Sequence, residues 1–176
     1  LGTFLQVPYY WVISDYIDAT IAPKYFSKAG VLFEAEYRQA FESGAFEADV
    51  AAIWPNSEEI LGTPADENFR GSLFANGQFK IDNQWSWGFE TELTTDDTFL
   101  RRFDLAYDTD LTSTVYVKAE NGRNLFTAES FYFQGLRASD NARQTPIIAP
   151  LINYYHEFDG DILGGTATLD VNALVL

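Results

Sequence analysis

Residues 7–25 read VPYYWVISDYIDATIAPKY: two short runs of alternating apolar residues on either side of a polar turn. In and just before the first run, Leu5, Val7, Tyr9, Trp11 and Ile13 share one parity, and Phe4, Gln6, Pro8, Tyr10 and Val12 make a mixed second face. After the turn at Ser14-Asp15, Ala19, Ile21, Pro23 and Tyr25 fall together, opposite Asp18, Thr20, Ala22 and Lys24. Alternation of this kind sends successive side chains to opposite faces of a β-strand. Each run also carries a proline, Pro8 or Pro23. Proline has no N–H to give to a ladder, so both strands are expected to pair imperfectly and to sit at an edge or seam.

The same period governs the rest of the chain. Val31, Phe33, Ala35, Tyr37 and Phe41 oppose Leu32, Glu34, Glu36 and Arg38, and a turn at Ser43-Gly44 leads into Phe46, Ala48, Val50, Ala52 and Trp54 opposite Glu47 and Asp49. This is the pattern of an antiparallel hairpin with one apolar and one acidic face. Residues 55–68 (PNSEEILGTPADEN) read as a loop, with a short helix possible around Glu58–Leu61. Leu73, Ala75, Gly77 and Phe79 form the next face, and Trp85, Trp87, Phe89, Thr91 and Leu93 alternate with Gln84, Ser86, Glu90 and Glu92. Residues 94–110 (TTDDTFLRRFDLAYDTD) are polar around an arginine pair and read as a longer connection.

A strand with Leu111, Ser113, Val115, Val117 and Ala119 on one face precedes Asn121-Gly122, a tight-hairpin signal. The strand 124–136 is ambiguous in parity, since Phe126 and Tyr132 oppose Phe131 and Phe133. Residues 146–158 alternate weakly around two prolines, and Leu163 to Val175 closes the series. The expectation is roughly ten antiparallel up-and-down strands of about 10 residues, a length that suits transmembrane strands rather than the shorter ones of soluble sheets. The fold class is all-β, part of a larger transmembrane barrel with a polar inside and an apolar outside.

Composition agrees. Lys+Arg 11 against Asp+Glu 26 gives a net charge of -15, which excludes a binder of bare nucleic acid. Aromatic residues make up 16%, as girdles at a membrane interface require; Trp11, Trp54, Trp85 and Trp87 are the candidate interfacial aromatics. With no cysteine there is neither a disulfide nor a thiolate metal site. No run approaches the ~18 apolar residues of a membrane helix, a test to which barrel strands are invisible. The chain opens and closes in mid-pattern and is expected to be a piece of something longer.

Several side chains invite a chemical reading. The pairs Glu34/Glu36, Glu47/Asp49 and Glu90/Glu92 each lie on one strand face, as an acid and base for glycoside cleavage would. Their recurrence in several strands favours the wet side of amphipathic strands instead. With Arg38, these six are the candidate lumen-facing polar residues. His156 is the only histidine, and no G-x-S-x-G element holds a nucleophile. The acidic turns at Asp108–Asp110 and Asp159–Asp161 lack the spacing of a calcium loop. Arg101-Arg102 suit either an anion such as phosphate or, more simply, ion pairs with Asp96, Asp97 and Asp104. No catalytic residue, metal site or cofactor is expected.

The motifs also resemble a known family. PYYW, the polar turn and D-A-T-I-x-P-x-Y are similar to the start of the barrel in the LptD family of lipopolysaccharide-assembly proteins, the organic solvent tolerance protein family. EYRQ around Arg38, DDTFLRRFD at 96–104, LTSTVYV at 111–117, FYFQGLR at 131–137 and PIIAPLINYYHEFDGDILGG at 146–165 extend the resemblance, the last toward its alphaproteobacterial branch. The resemblance implies that residues 1–176 are the N-terminal part of the barrel domain, without the periplasmic jelly-roll domain and the closing strands. It implies transport rather than catalysis: lipopolysaccharide arrives over an LptA-like periplasmic bridge and leaves through a seam between the first and last strands into the outer-membrane lipids, with an LptE-like lipoprotein plugging the lumen. Pro8 and Pro23 match the prolines beside that seam. Two readings compete with it, a complete small porin-like barrel and a soluble β-sandwich acting on carbohydrate.

Overall fold

The computed structural model describes residues 1–54, 69–137, 139–140, 147–160 and 164–175. Eleven strands make one antiparallel sheet: β1 (Phe4–Gln6), β2 (Tyr9–Ser14), β3 (Ile17–Phe26), β4 (Gly30–Phe41), β5 (Gly44–Ile53), β6 (Arg70–Lys80), β7 (Trp85–Thr94), β8 (Asp110–Asn121), β9 (Asn124–Gly135), β10 (Ile147–Glu157) and β11 (Thr168–Leu174). From β3 to β11 each strand pairs with the next in sequence, while β1 and β2 share β3 as their partner. Strands β3–β10 are 10–12 residues long, enough to cross a bilayer when tilted. The short helix expected at Glu58–Leu61 lies outside the described residues, and the last strand starts at Thr168, later than the run from Leu163 suggests.

Register resolves the faces. Glu36 opposes Asp49, Arg38 opposes Glu47, and Asn76 opposes Glu90, so the acidic parities of β4–β7 form one continuous face. Tyr37 opposes Ala48 and Phe79 opposes Trp87 on the other. Across β8 and β9, Val117 faces Ala128 and Ala119 faces Phe126, so Phe126 and Tyr132 belong to the apolar face and Phe131 and Phe133 to the polar one. The strand 124–136 was ambiguous only because both of its faces carry aromatics. The weak alternation of 146–158 has a local cause, a register shift between Ile148 and Leu151 at Pro150.

The sheet curls around one segment. The β7–β8 connection carries the single helical turn α1 (Phe99–Arg102), whose Phe99 and Leu100, with Phe103, are completely or almost completely buried. They pack in one cluster with Phe26 of β3, Leu32 of β4, Ala51 and Ile53 of β5, Leu111 of β8 and Leu136 beyond β9. Six inter-strand spacings separate β3 from β9, about 29 Å if the sheet were flat. Phe26, Leu32, Ala51 and Ile53 share the polar parity, so converging on one helical turn requires that face to be concave; Leu111 lies beyond the last β7–β8 pair, Glu90–Thr114, and joins the cluster from the other parity of β8. Asp104, at φ 60, ends the turn in the left-handed region that Asp tolerates.

This corrects two expectations. The connection 94–110 is not merely polar, because its three apolar residues supply the heart of the core. The inside is correspondingly not polar throughout: one end is apolar and filled, and the acids line the remainder. A β-sandwich needs two facing sheets, and among the described residues there is one. Among the described residues β11 pairs with neither β1 nor β2, so the sheet is an open wall and not a closed small barrel.

Candidate functional site

The edge formed by β1 and β2 is one strand interrupted at Val7-Pro8. Gln6 opposes Lys24 and Tyr9 opposes Ile21, so the register carries straight across the gap and places Val7 opposite Pro23 and Pro8 opposite Ala22. The Val7 N–H donates to the Pro23 carbonyl at 3.2 Å. In an antiparallel ladder such a pair normally exchanges two bonds. Pro23 has no N–H to return, so the Val7 carbonyl receives nothing from β3. One position along, backbone groups point away from β3, and the missing N–H of Pro8 therefore falls on the free edge. The two prolines act on opposite sides of one strand: Pro23 weakens its attachment to the sheet, and Pro8 removes a donor from whatever pairs outside it.

Behind this edge lies the polar floor. Glu34, Glu36, Arg38, Glu47, Asp49, Glu90 and Glu92 all share the concave face. Arg38 reaches Asp18 at 2.8 Å and Glu36 at 3.2 Å. Gln6 on the edge strand donates to Glu34 at 3.0 Å, and Lys24 stands 3.9 Å from the same carboxylate. A cavity of about 540 Å³ opens here, floored by Glu34, Glu36 and Asp49 and roofed by Leu105 and Ala106 from the β7–β8 connection. The remaining acids, Glu47 on β5 and Glu90 and Glu92 on β7, lie on two strands, with no histidine beside them among the described residues. His156 sits instead on the apolar face, hydrogen-bonded to Asn124 and edge-on to Phe158. Among the described residues no group of three or more His, Cys, Asp or Glu is arranged to hold a metal ion.

Sequence reading missed Arg70, the residue that fixes α1. It is fully buried, and it donates to Asp96 from Nε at 2.8 Å and from Nη2 at 2.6 Å, and to the Thr98 hydroxyl at 2.8 Å. Its guanidinium also lies 5.7 Å from the Phe99 ring centre and 5.9 Å from that of Phe103. Burial pushes the Asp96 carboxyl up, but the Arg70 guanidinium and the Thr98 hydroxyl and N–H outweigh it and hold the group below its ordinary value. Asp96 is thereby withdrawn from Arg101 and Arg102, and among the described residues neither arginine forms an ion pair with Asp96, Asp97 or Asp104. The expected salt-bridged loop does not exist in that form. The signal available in the sequence was an arginine directly after a loop, followed 26 residues later by an acid, too long a gap for any local rule.

The convex face carries aromatic residues toward both rims. Phe46, Phe41, Phe79, Trp87 and Phe89 touch in series across β4–β7, and Trp85 meets Phe126. Gly77 makes room for this row, since a Cβ there would lie 2.8 Å from Phe89 and 3.0 Å from Phe46. Trp54 packs on Phe69 at the opposite rim, and Trp11 lies on β2 three residues from the first. Between the rims Ile21, Phe33, Val50, Val115 and Val171 are each 40–49% exposed.

These features define a class, the wall of an amphipathic β-barrel with one weakly attached edge. The family model for LptD, LPS transport system D, matches residues 68–175, and the chain belongs to that family. It is similar to the LPS-assembly protein LptD of Idiomarina loihiensis, 48% identical over 58% of this chain and 13% of that protein. It is 28% identical to its counterpart in Ectopseudomonas mendocina over 68% of this chain and 12% of that protein. The Escherichia coli K12 protein of the same name is 28% identical over 57% of this chain and 13% of its own length. The chain thus spans about an eighth of the length of the curated relatives it matches.

Proposed function

We propose that this chain forms part of the wall of an outer-membrane barrel that inserts lipopolysaccharide into the outer leaflet, and that its β1/β2 edge is one lip of the lateral opening. The observation that carries this reading is the half-made pair between Val7 and Pro23, beside a second proline on the free side. A backbone hydrogen bond contributes about 0.5–1.5 kcal/mol net, so each missing bond lowers the work of parting strands by a measurable amount. Family membership supports lipopolysaccharide as the cargo. The exposed apolar band between aromatic rims suits lipid and is too extensive for a surface in water. The acidic, hydrogen-bonding concave face suits a hydrated glycan, and in this reading Glu34, Glu36, Arg38, Glu47, Asp49, Glu90 and Glu92 line its path.

In this reading the chain transports and does not catalyse. An LptE-like lipoprotein occupies the lumen, and an LptA-like bridge delivers the cargo from the periplasm. The test is export in cells carrying the full-length protein with Pro8→Ala and Pro23→Ala together. Slower appearance of lipopolysaccharide at the cell surface is expected; unchanged export would remove the gate role from these residues.

A further inference from the structure

We propose that the cleft between α1 and the segment following β9 binds a phosphomonoester-type dianion. Asp97, Thr98, Arg101, Arg102, Leu136 and Arg137 enclose about 530 Å³ there. In a chain of net charge -15 the natural fate of an arginine is a carboxylate. Arg38, Arg70 and Arg123 obey, with Asp18, Asp96 and Glu157 at 2.6–3.0 Å. The three arginines of the cleft do not: among the described residues none has a carboxylate within 4.0 Å of its guanidinium.

Their fixed contacts are neutral. Arg101 Nη2 donates to the Asp108 carbonyl at 3.2 Å, and Arg137 Nη2 to the Thr109 hydroxyl at 3.3 Å. Arg102 Nε is buried without a partner among the described residues. Among the described residues Asp97 is the single carboxylate lining the cleft; Asp96 is held by Arg70, and Asp140 accepts from the Arg137 backbone N–H at 3.0 Å and not from its guanidinium. Three cations held together repel, and the arrangement is relieved by a multiply charged oxyanion. Guanidinium forks match the oxygens of phosphate, and a dianion with three terminal oxygens can serve several forks where a lone carboxylate cannot. Leu136, almost fully buried, gives the cleft one apolar wall, and the space exceeds what bare phosphate fills. The phosphate is therefore either free or the headgroup of a lipid. This site stands apart from the β1/β2 edge, and its binding is measured without any export.

The experiment uses the full-length protein in detergent micelles. Inorganic phosphate, dihexanoyl phosphatidic acid and, as the uncharged comparison, dihexanoylglycerol are titrated by calorimetry. Wild type, R101Q/R102Q/R137Q and, as a carboxylate-paired arginine outside the cleft, R123Q are compared. Losing several charge-assisted bonds is expected to weaken binding at least about tenfold in the triple variant, with R123Q unchanged. A loss seen with inorganic phosphate identifies free phosphate as sufficient; a loss confined to phosphatidic acid identifies a lipid headgroup. Equal binding of both phosphates by wild type and triple variant, or no phosphate binding by wild type, overturns the proposal. If the triple variant fails to fold, R102Q alone breaks no side-chain hydrogen bond among the described residues and carries the same expectation at smaller size.

Discussion

The edge strand and the β7–β8 connection treat their backbone and side chains in opposite ways. Along β1 and β2 nearly every residue is exposed, the strand breaks at Val7-Pro8, and one face of its only described partnership lacks a bond. Around α1, by contrast, four side chains (Arg70, Phe99, Leu100 and Phe103) are all but sealed from solvent, and one buried guanidinium holds Asp96 and Thr98 together. The lesson is that rigidity in this sheet is local. Seven strands, β3–β9, are curled around the segment pinned at one end of the concave face, and in the proposed reading this lets the first strand remain loosely attached without endangering the fold.

The comparison is broken most severely at the pinned end. Arg70→Ala leaves the Asp96 carboxylate half-buried without its partner, and removing one member of a buried pair typically destabilises by about 3–5 kcal/mol. Phe103→Ala, which empties the space between Phe26 and Phe99, is expected to cost a similar amount, about 3–5 kcal/mol. Urea unfolding of the protein refolded in detergent measures both. If either variant unfolds at the wild-type midpoint, the connection is not the keystone of the curl.

The same pair has a pH signature. Because the folded state lowers the Asp96 carboxyl, its contribution is complete above the unfolded value near about 3.9 and is lost as pH falls through the lower folded value. Acid unfolding of wild type should therefore steepen below that point. Asp96→Asn should be less stable at neutral pH and show a shallower acid limb; an acid limb identical to wild type would deny Asp96 this role.

At the loose edge the expected effects are smaller and of opposite sign. Pro23→Ala supplies an N–H to the Val7 carbonyl and should strengthen β1/β2 attachment by about 1 kcal/mol, roughly fivefold slower amide exchange in residues 5–11. Pro8→Ala adds its N–H on the far side and should leave that pairing unchanged. Equal effects from the two would mean the register deduced across the gap is wrong. Smallest of all, Arg38→Ala removes a solvent-exposed ion pair with Asp18 and Glu36, and the unfolding midpoint should scarcely move.

How far these contrasts were legible in the sequence follows from the range of the interactions. The strands, their faces and the edge at Pro8 are local: period-2 alternation and one proline suffice, whereas Pro23 lies on β3, which is paired on both sides and is not an edge strand. The acid pairs sort to one face for the same reason. What escaped was non-local. Phe99, Leu100 and Phe103 look like stray apolar residues inside TTDDTFLRRFD until the sheet closes over them, and Arg70 looks like a loop residue until Asp96 arrives from 26 positions away. The arginine pair was misassigned because three aspartates stand near it in sequence, while the carboxylate that mattered was already committed to Arg70. The parity of 124–136 needed the register with β8, which no single strand contains.

The most direct test of the account is residue-level hydrogen exchange of the full-length protein in detergent, comparing amides of Phe4–Ser14 with those of Leu32–Ile53. Exchange from the edge at least about tenfold faster than from β4 and β5 is the predicted result, with Pro23→Ala narrowing the gap and Pro8→Ala leaving it. Protection of Phe4–Ser14 equal to that of β4 and β5 would contradict the claim that this edge is the sheet's weak seam.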